Sequence, residues 1–592
     1  MKMKINCIYL LVFIMALSLF ACVDKAYDLS DIDSTVGVKV KDLVVPLNID
    51  AITLQNILNL EDNSQIIEIN GEYAFLEKGS FKSDQVEVSS FIIAAPIITP
   101  IKKTIDLVSH DFSNSPLSIP DDYLLIRAEE KDAFTSFNFE TQNIDPTLVK
   151  IDEIGANFLV KILFSFSGFD TFLNSIEIED LIIQLPKGLE ATISDQGSYD
   201  VATGKLTFKN TLLSDLNLQK EITVSVSKID AEQAGLKLVN SELSLETNFA
   251  FSANFSIYGR NLKKPIDIIQ LSKLQKLTYQ LEVDFPNGDI RVNDFTGDIR
   301  YQFDGINISP VIIDDLPDLF NQQGTDIRIT NPQIYVSVSN PLYNDYQLHA
   351  KAGFELIPTP KSDFNFEANL TFDKAMNQLC LSPLKPESMY ITGSTYIQFA
   401  NLSNILSGNK LPSKIDIEII PEVPLQTVHN FQLGQNLGTV EGSYVFYAPL
   451  AMTSEAQIHY TDTLNGWSDD ELDRLTVNNF KIEAQVQSNI PFGFKAIAYP
   501  IDKKGNMLTK NGQPIEAVFQ SVGVDGKTSD MLPALANTAV LIKVEGPLRE
   551  IDGIIVKAIL SGAEGNHSLK PDQSIQLTDI KLKVSGEYIN NL

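Results

Sequence analysis

The sequence predicts an all-β protein: several antiparallel β-sandwich modules of immunoglobulin-like type in tandem, with a few short helices. After residue 38, apolar and polar residues alternate with period two, the pattern of half-buried strands. Turn-forming pairs such as Asn287-Gly288 and Asn511-Gly512 separate the alternating runs and read as hairpins. No strand–helix–strand rhythm and no long amphipathic stretch competes with this reading.

The chain opens on a different pattern. Lys2 and Lys4 precede an almost wholly apolar run from Ile8 to Phe20, which is the order of a secretory signal peptide. The run is short for a membrane span, which needs roughly 20 apolar residues. It ends in Leu19-Phe20-Ala21-Cys22, which resembles the lipobox of bacterial lipoproteins. The resemblance implies a signal peptide over 1–21, acylation of Cys22 as the first mature residue, and anchorage in the outer membrane. Each buried methylene contributes about 0.8 kcal/mol and one chain alone holds only marginally, so several chains on one cysteine make a lasting anchor.

Residues 22–38 read as a flexible acidic tether, with Asp24, Asp28, Asp31 and Asp33 against Lys25. The stretch resembles the tethers of Bacteroidota-type envelope lipoproteins, where acidic residues after the cysteine direct export. That resemblance favours the cell surface over the periplasmic face; a simple solvated spacer is the alternative. Asp33-Ser34-Thr35 and Asp462-Thr463-Leu464 resemble the short O-glycosylation sequence of the same envelopes, which implies Ser34 and Thr463 as acceptors.

Four β domains are expected beyond the tether: 39–142, 143–262, 263–390 and 391–592. The second is read as an Ig-like sandwich, because "LPKGLEATISDQGSYDVATGKLTF" resembles the hairpins of bacterial immunoglobulin-like surface modules. Its last strand aligns Phe249, Phe251, Ala253, Phe255 and Ile257 on one face. In the third, Phe364, Phe366, Ala368, Leu370 and Phe372 share a face; in the fourth, Phe480, Ile482, Ala484 and Val486 do. "RITNPQIYVSVSNPL" and "TVNNFKIEAQVQSNIPFG" look alike, which either a repeated module or shared turn chemistry explains. Helices are expected to be brief: "TLQNIL", "DDLPDLF", and a capping box from Ser468 to Glu471 in "SDDELDRL".

The formal charge of −30 over 592 residues is spread along the chain. Such a surface repels nucleic acid and anionic lipid heads, and no basic stripe along the sequence offsets it. Of three cysteines, Cys7 lies in the signal and Cys22 is the anchor, so Cys380 has no disulfide partner. Burial alone must hold the cores.

The residues offer little chemistry. His110, His349, His429, His459 and His567 are far apart, and no metal-ligand, nucleophile or phosphate-loop motif occurs. Neither a cofactor nor catalysis is expected. "DTLNGWSDDELD" is acidic, but its spacing does not match a calcium loop. Its Trp467 could serve as a stacking platform for a sugar ring, the alternative being a core tryptophan. A non-catalytic binding, adhesive or structural module is therefore expected, with an envelope protein or glycan as partner. A carrier of an apolar or lipid ligand in a Phe-lined cavity and a glycan-degrading enzyme are the competing readings.

Overall fold

This computed structural model describes residues 35–47, 51–58, 65–106, 119–168, 172–214, 218–264, 276–303, 306, 308–314, 316–317, 320, 322–408, 411–466, 475–523, 526–565 and 567–591. The protein is all-β, with several antiparallel sheets and helices of one or two turns. Its described residues form two compact units, each gathered from separated segments: those within 35–62, 317–327 and 452–592 in one, those within 63–316 and 328–451 in the other.

The larger unit is built around an eleven-stranded sheet whose longest member, Leu148–Ser167, has neighbours on both sides. A six-stranded sheet holding Leu124–Thr141, Ile176–Gln184 and Glu242–Tyr258 packs on one part of it. The chain between them passes back and forth. Leu189–Ile193 pairs in the eleven-stranded sheet, whereas Ser198–Asp200 pairs with Lys205–Leu213 in the six-stranded one. This is a sandwich, and its turns at Pro186–Gly188 and Thr203–Gly204 fall where the sequence places them. A second six-stranded sheet carries Glu72–Glu87, Gln333–Ser339, Met376–Ser382 and Asn436–Pro449. Its Phe81 and Val338 border the same small cavity as Phe372 and Ile419 of the eleven-stranded sheet.

The smaller unit is organised on a ten-stranded sheet in which Thr35–Leu47 pairs with Ser574–Asn591, which in turn pairs with Leu475–Ser488. Ala484, Val486, Val540 and Ile580 form one buried cluster, with Ile482 against it. The side chain of Phe480 lies outside the described residues.

Several expectations are corrected. The boundaries at 142/143, 262/263 and 390/391 do not partition the sheets: Leu124–Thr141 pairs with Glu242–Tyr258, and Leu148–Ser167 with Ile290–Gln302. Lys414–Gln432 likewise pairs with Ala350–Thr359. Alternation marks a strand but carries no information on its partner, so local patterning cannot draw these boundaries. The tether ends earlier than residue 38, since Val36 and Val38 already sit in a paired strand. Met376–Ser382 pairs in parallel with Thr395–Gln398, which the long connection between them permits.

The two Asn-Gly pairs also part company. Asn511-Gly512 turns a true two-residue hairpin, with φ of 56° and 78° and Lys510 facing Gln513. Asn287-Gly288 closes a turn, Gly288 N–H donating to Phe285 O at 2.9 Å, but the chain does not fold back. The strands on either side, Lys276–Asp284 and Ile290–Gln302, run end to end along the same long neighbour, Leu148–Ser167. Of the foreseen helices, Leu54–Leu58 forms, while the Ser468–Glu471 box lies outside the described residues and "DDLPDLF" does so in part. A short helix at Ala231–Ala234 is capped by the Asp230 carboxylate, which accepts from Gln233 N–H at 2.9 Å.

Candidate functional site

Of the residues singled out in the sequence, Cys22, Ser34 and Trp467 lie outside the described residues. Thr463 is exposed on Gln457–Leu464, the terminal strand of the ten-stranded sheet, where an acceptor hydroxyl is reachable. Among the described residues, no group of three or more His, Cys, Asp or Glu is placed to hold a metal ion.

The Phe-rich strands settle into a packed interior. Phe249, Phe251 and Phe255 are at most 1% exposed. Phe255 meets Phe166 at 4.9 Å between ring centroids, Phe249 meets Phe137 at 5.2 Å, and Phe251 meets Phe164 at 6.0 Å. The first and last of these contacts cross from one sheet of the sandwich to the other, so the rings fill the space a cavity would need. Tyr279 stands among them, and its hydroxyl donates to Glu130. Phe364 is the exception to its row at 53% exposure, because the strand begins only at Glu367.

Cys380 is fully buried beside Tyr335 and Tyr447, on the opposite face of its sheet from Leu379 and Leu381. Burial pushes its thiol above the usual value, although hydrogen bonding to Tyr335 and Ser382 opposes this. Tyr335 donates to Gln333 Oε1 at 2.6 Å and accepts from Tyr390 N–H at 2.8 Å. This is a satisfied polar core with an inert thiol.

Two carboxylates do come together at the surface. Glu140 and Glu242 share a hydrogen bond, which raises Glu242, while bonds from Gln142 and Glu242 lower Glu140. Glycosidases place their carboxyl groups roughly 5–9.5 Å apart across a cleft, with a sugar between. A touching, exposed pair leaves no such room.

A concavity of the larger unit lies elsewhere, between two sheet edges. Glu367–Phe372 is the last strand of the eleven-stranded sheet, and Thr395–Gln398 the last of the second six-stranded sheet. A groove of about 600 Å³ runs between these edges. Asn369, Thr371, Asp373, Lys374, Gln378 and Thr395 line it with exposed polar groups, over an apolar floor of Leu379 and Ile397. Buried Asn377 shapes its end: its side-chain oxygen accepts from Asp373 N–H at 3.1 Å, and its amide donates to Lys374 O at 2.7 Å. Amides, hydroxyls and one charge of each sign suit hydrogen bonding to a polar chain. The sequence gives no signal for this groove, because two distant edges form it.

A second surface also escapes the sequence. Across the ten-stranded sheet, register aligns Val44, Lys583, Lys481, Lys543, Val518, Ile497, Lys557 and Thr461 in a single row. The expectation that no basic stripe offsets the negative charge is therefore corrected. Strand pairing builds one from lysines scattered over a hundred residues.

Comparison with known proteins adds little. No family matches, and no curated protein does. Among solved structures, a protein from Parabacteroides distasonis ATCC 8503 assigned as secreted is similar over 49% of this chain and 89% of its own, at 14% identity and a TM-score of 0.32. A protein of the triple jelly roll fold and turret assembly of an archaeal virus covers 84% of this chain and 91% of its own, at 10% identity and a TM-score of 0.09. Neither likeness carries an argument about function.

Proposed function

We propose that this chain is a lipid-anchored, non-catalytic binding module of a bacterial outer membrane, resembling Bacteroidota-type envelope lipoproteins and held by acyl chains on Cys22. The polar groove between the two sheet edges is its recognition site, and a glycan or an extended segment of an envelope protein is its partner. The groove itself carries the reading: it is open, lined by hydrogen-bonding side chains, and sits on rigid strands. The interlocked phenylalanines favour recognition at the surface over carriage of an apolar ligand inside. Display on the cell surface follows from the acidic tether, with Ser34 and Thr463 as sites of O-glycosylation.

The test is an array of envelope glycans and envelope proteins probed with the mature chain and with a Gln378→Arg, Thr395→Arg variant. These exposed positions tolerate a long side chain, so folding is retained while the groove is filled. Binding by the wild type and its loss in the variant is the expected result. Equal binding by both moves recognition away from the groove.

A further inference from the structure

We propose that the outer face of the ten-stranded sheet docks on an anionic lipid surface through its row of lysines. The row runs across eight strands, four of its eight positions are lysine, and none is acidic. At about 4.8 Å between strands it extends for roughly 34 Å. Lys583, Lys481 and Lys543 are direct cross-strand neighbours on three adjacent strands. Like charges so placed repel, which leaves the face short of negative charge. Acids answer them in part: Glu483 in the next row pairs with Lys481 at 2.5 Å and Lys583 at 3.1 Å, Glu545 lies two residues beyond Lys543 on the same face, and Glu516 meets the Tyr499 hydroxyl under Lys557. Lys581 faces Glu483 and Lys495 pairs with Asp530, so the row itself, with four lysines and no acid, keeps its positive charge.

The other positions of the row fit the same occupant. Val44 is 50% exposed, Val518 and Ile497 are half-buried, and Ile559 beside them is 36% exposed. Apolar side chains between lysines that reach outward are what a headgroup layer accepts. The opposite face of these strands is the core, with Ala484, Val486, Val540 and Val544 buried, so the lysine face is the outward one. The chain's overall charge of −30 does not cancel this face, because screening at physiological salt limits each charge to about 8 Å. The first strand of the sheet begins at Thr35, thirteen residues after Cys22. Fully extended, that distance is at most about 47 Å. The local supply of lipid rests on the anchor reading above; the affinity of the face does not.

The experiment therefore uses residues 23–592 without acyl chains. Partitioning is measured onto vesicles of phosphatidylglycerol mixed with phosphatidylcholine, and onto phosphatidylcholine alone. The protein should bind the anionic vesicles, lose them as salt rises, and ignore the neutral ones. Replacing Lys481, Lys543 and Lys583 by Gln should weaken partitioning on the order of a hundredfold. Because the change removes the Glu483 ion pairs along with the like-charge contacts, a circular dichroism melt confirms that the variant is folded at the temperature of the binding assay. A control with Lys187, Lys205 and Lys209 changed to Gln should bind as the parent does. Equal partitioning onto both vesicle types overturns the proposal. An unchanged triple variant, or a control that fails equally, overturns it too. Failure of acyl labelling at Cys22 bears on the anchor and leaves this result untouched.

Discussion

At the scale of single residues, the buried hydroxyl of Tyr444 works against the fold. Tyr444 is 2% exposed, and its hydroxyl has no hydrogen-bond partner among the described residues. Burial, with Glu77 adding, pushes its pKa up to about 12. Gly79 stands opposite in the register, where any side chain would strike the Tyr444 ring. An unpaired buried hydroxyl costs about 1–3 kcal/mol, so Tyr444→Phe should stabilise the protein by about 1 kcal/mol. Thermal or denaturant unfolding reads this directly; a destabilised variant means the hydroxyl has found a partner. The ion pair of Arg260 and Glu177 behaves in the opposite way. Arg260 Nε donates to Glu177 Oε1 at 2.6 Å and its Nη2 to Oε2 at 2.7 Å, while its guanidinium lies 4.0 Å from the Tyr258 ring centre. The Arg260 hydrogen bonds lead in holding Glu177 below the usual carboxylate range, with Asn261 assisting. A depressed folded value contributes stability above the unfolded pKa of about 4.3, and loses it as pH falls through the folded one. The stability gap between wild type and Arg260→Gln should therefore narrow on acidification. A gap that is constant from neutral pH to acid would show that the pair contributes nothing.

At the scale of elements, alternation proves a sound guide and turn chemistry an incomplete one. Phe249 to Ile257 read as one apolar face, and all five side chains are at most 2% exposed. Phe255→Ala should accordingly cost about 3–5 kcal/mol, the range for emptying an aromatic site in a closed core. A loss below about 1 kcal/mol would indicate a loose interior and revive the cavity-lined carrier. What alternation cannot show is where a strand goes next. Asn287-Gly288 has the same local chemistry as Asn511-Gly512, yet only the latter turns its chain back on itself. The difference lies in Leu148–Ser167, a strand long enough to pair with both segments flanking the first turn. The paired motifs around Asn331–Asn340 and Asn479–Asn489 teach a related lesson. Asn331 accepts from Leu384 N–H at 3.0 Å, Asn340 donates to Leu348 O at 2.9 Å, and Asn489 accepts from Ser574 N–H at 2.7 Å. Each latches a neighbouring segment's backbone, and shared turn chemistry accounts for that much of their likeness.

At the scale of the molecule, the class of fold was legible and its assembly was not. Period-two patterning is local and survives in the sequence, whereas both candidate surfaces arise from pairing over long separations. The groove joins residue 369 to residue 395 across two different sheets, and the lysine row joins residue 44 to residue 583. Val44 gives no hint that a lysine stands beside it. The proposed function rests mostly on the first two dozen residues, and the proposed meeting place with a partner on the groove. The whole account therefore depends on the protein being held in the envelope. Metabolic labelling with a fatty acid, on cells expressing the wild type and Cys22→Ala, tests this most directly. The wild type should incorporate label and be shortened by the signal peptide, and the variant should do neither. Label retained by the Cys22→Ala chain, or a wild type that takes up none, contradicts it.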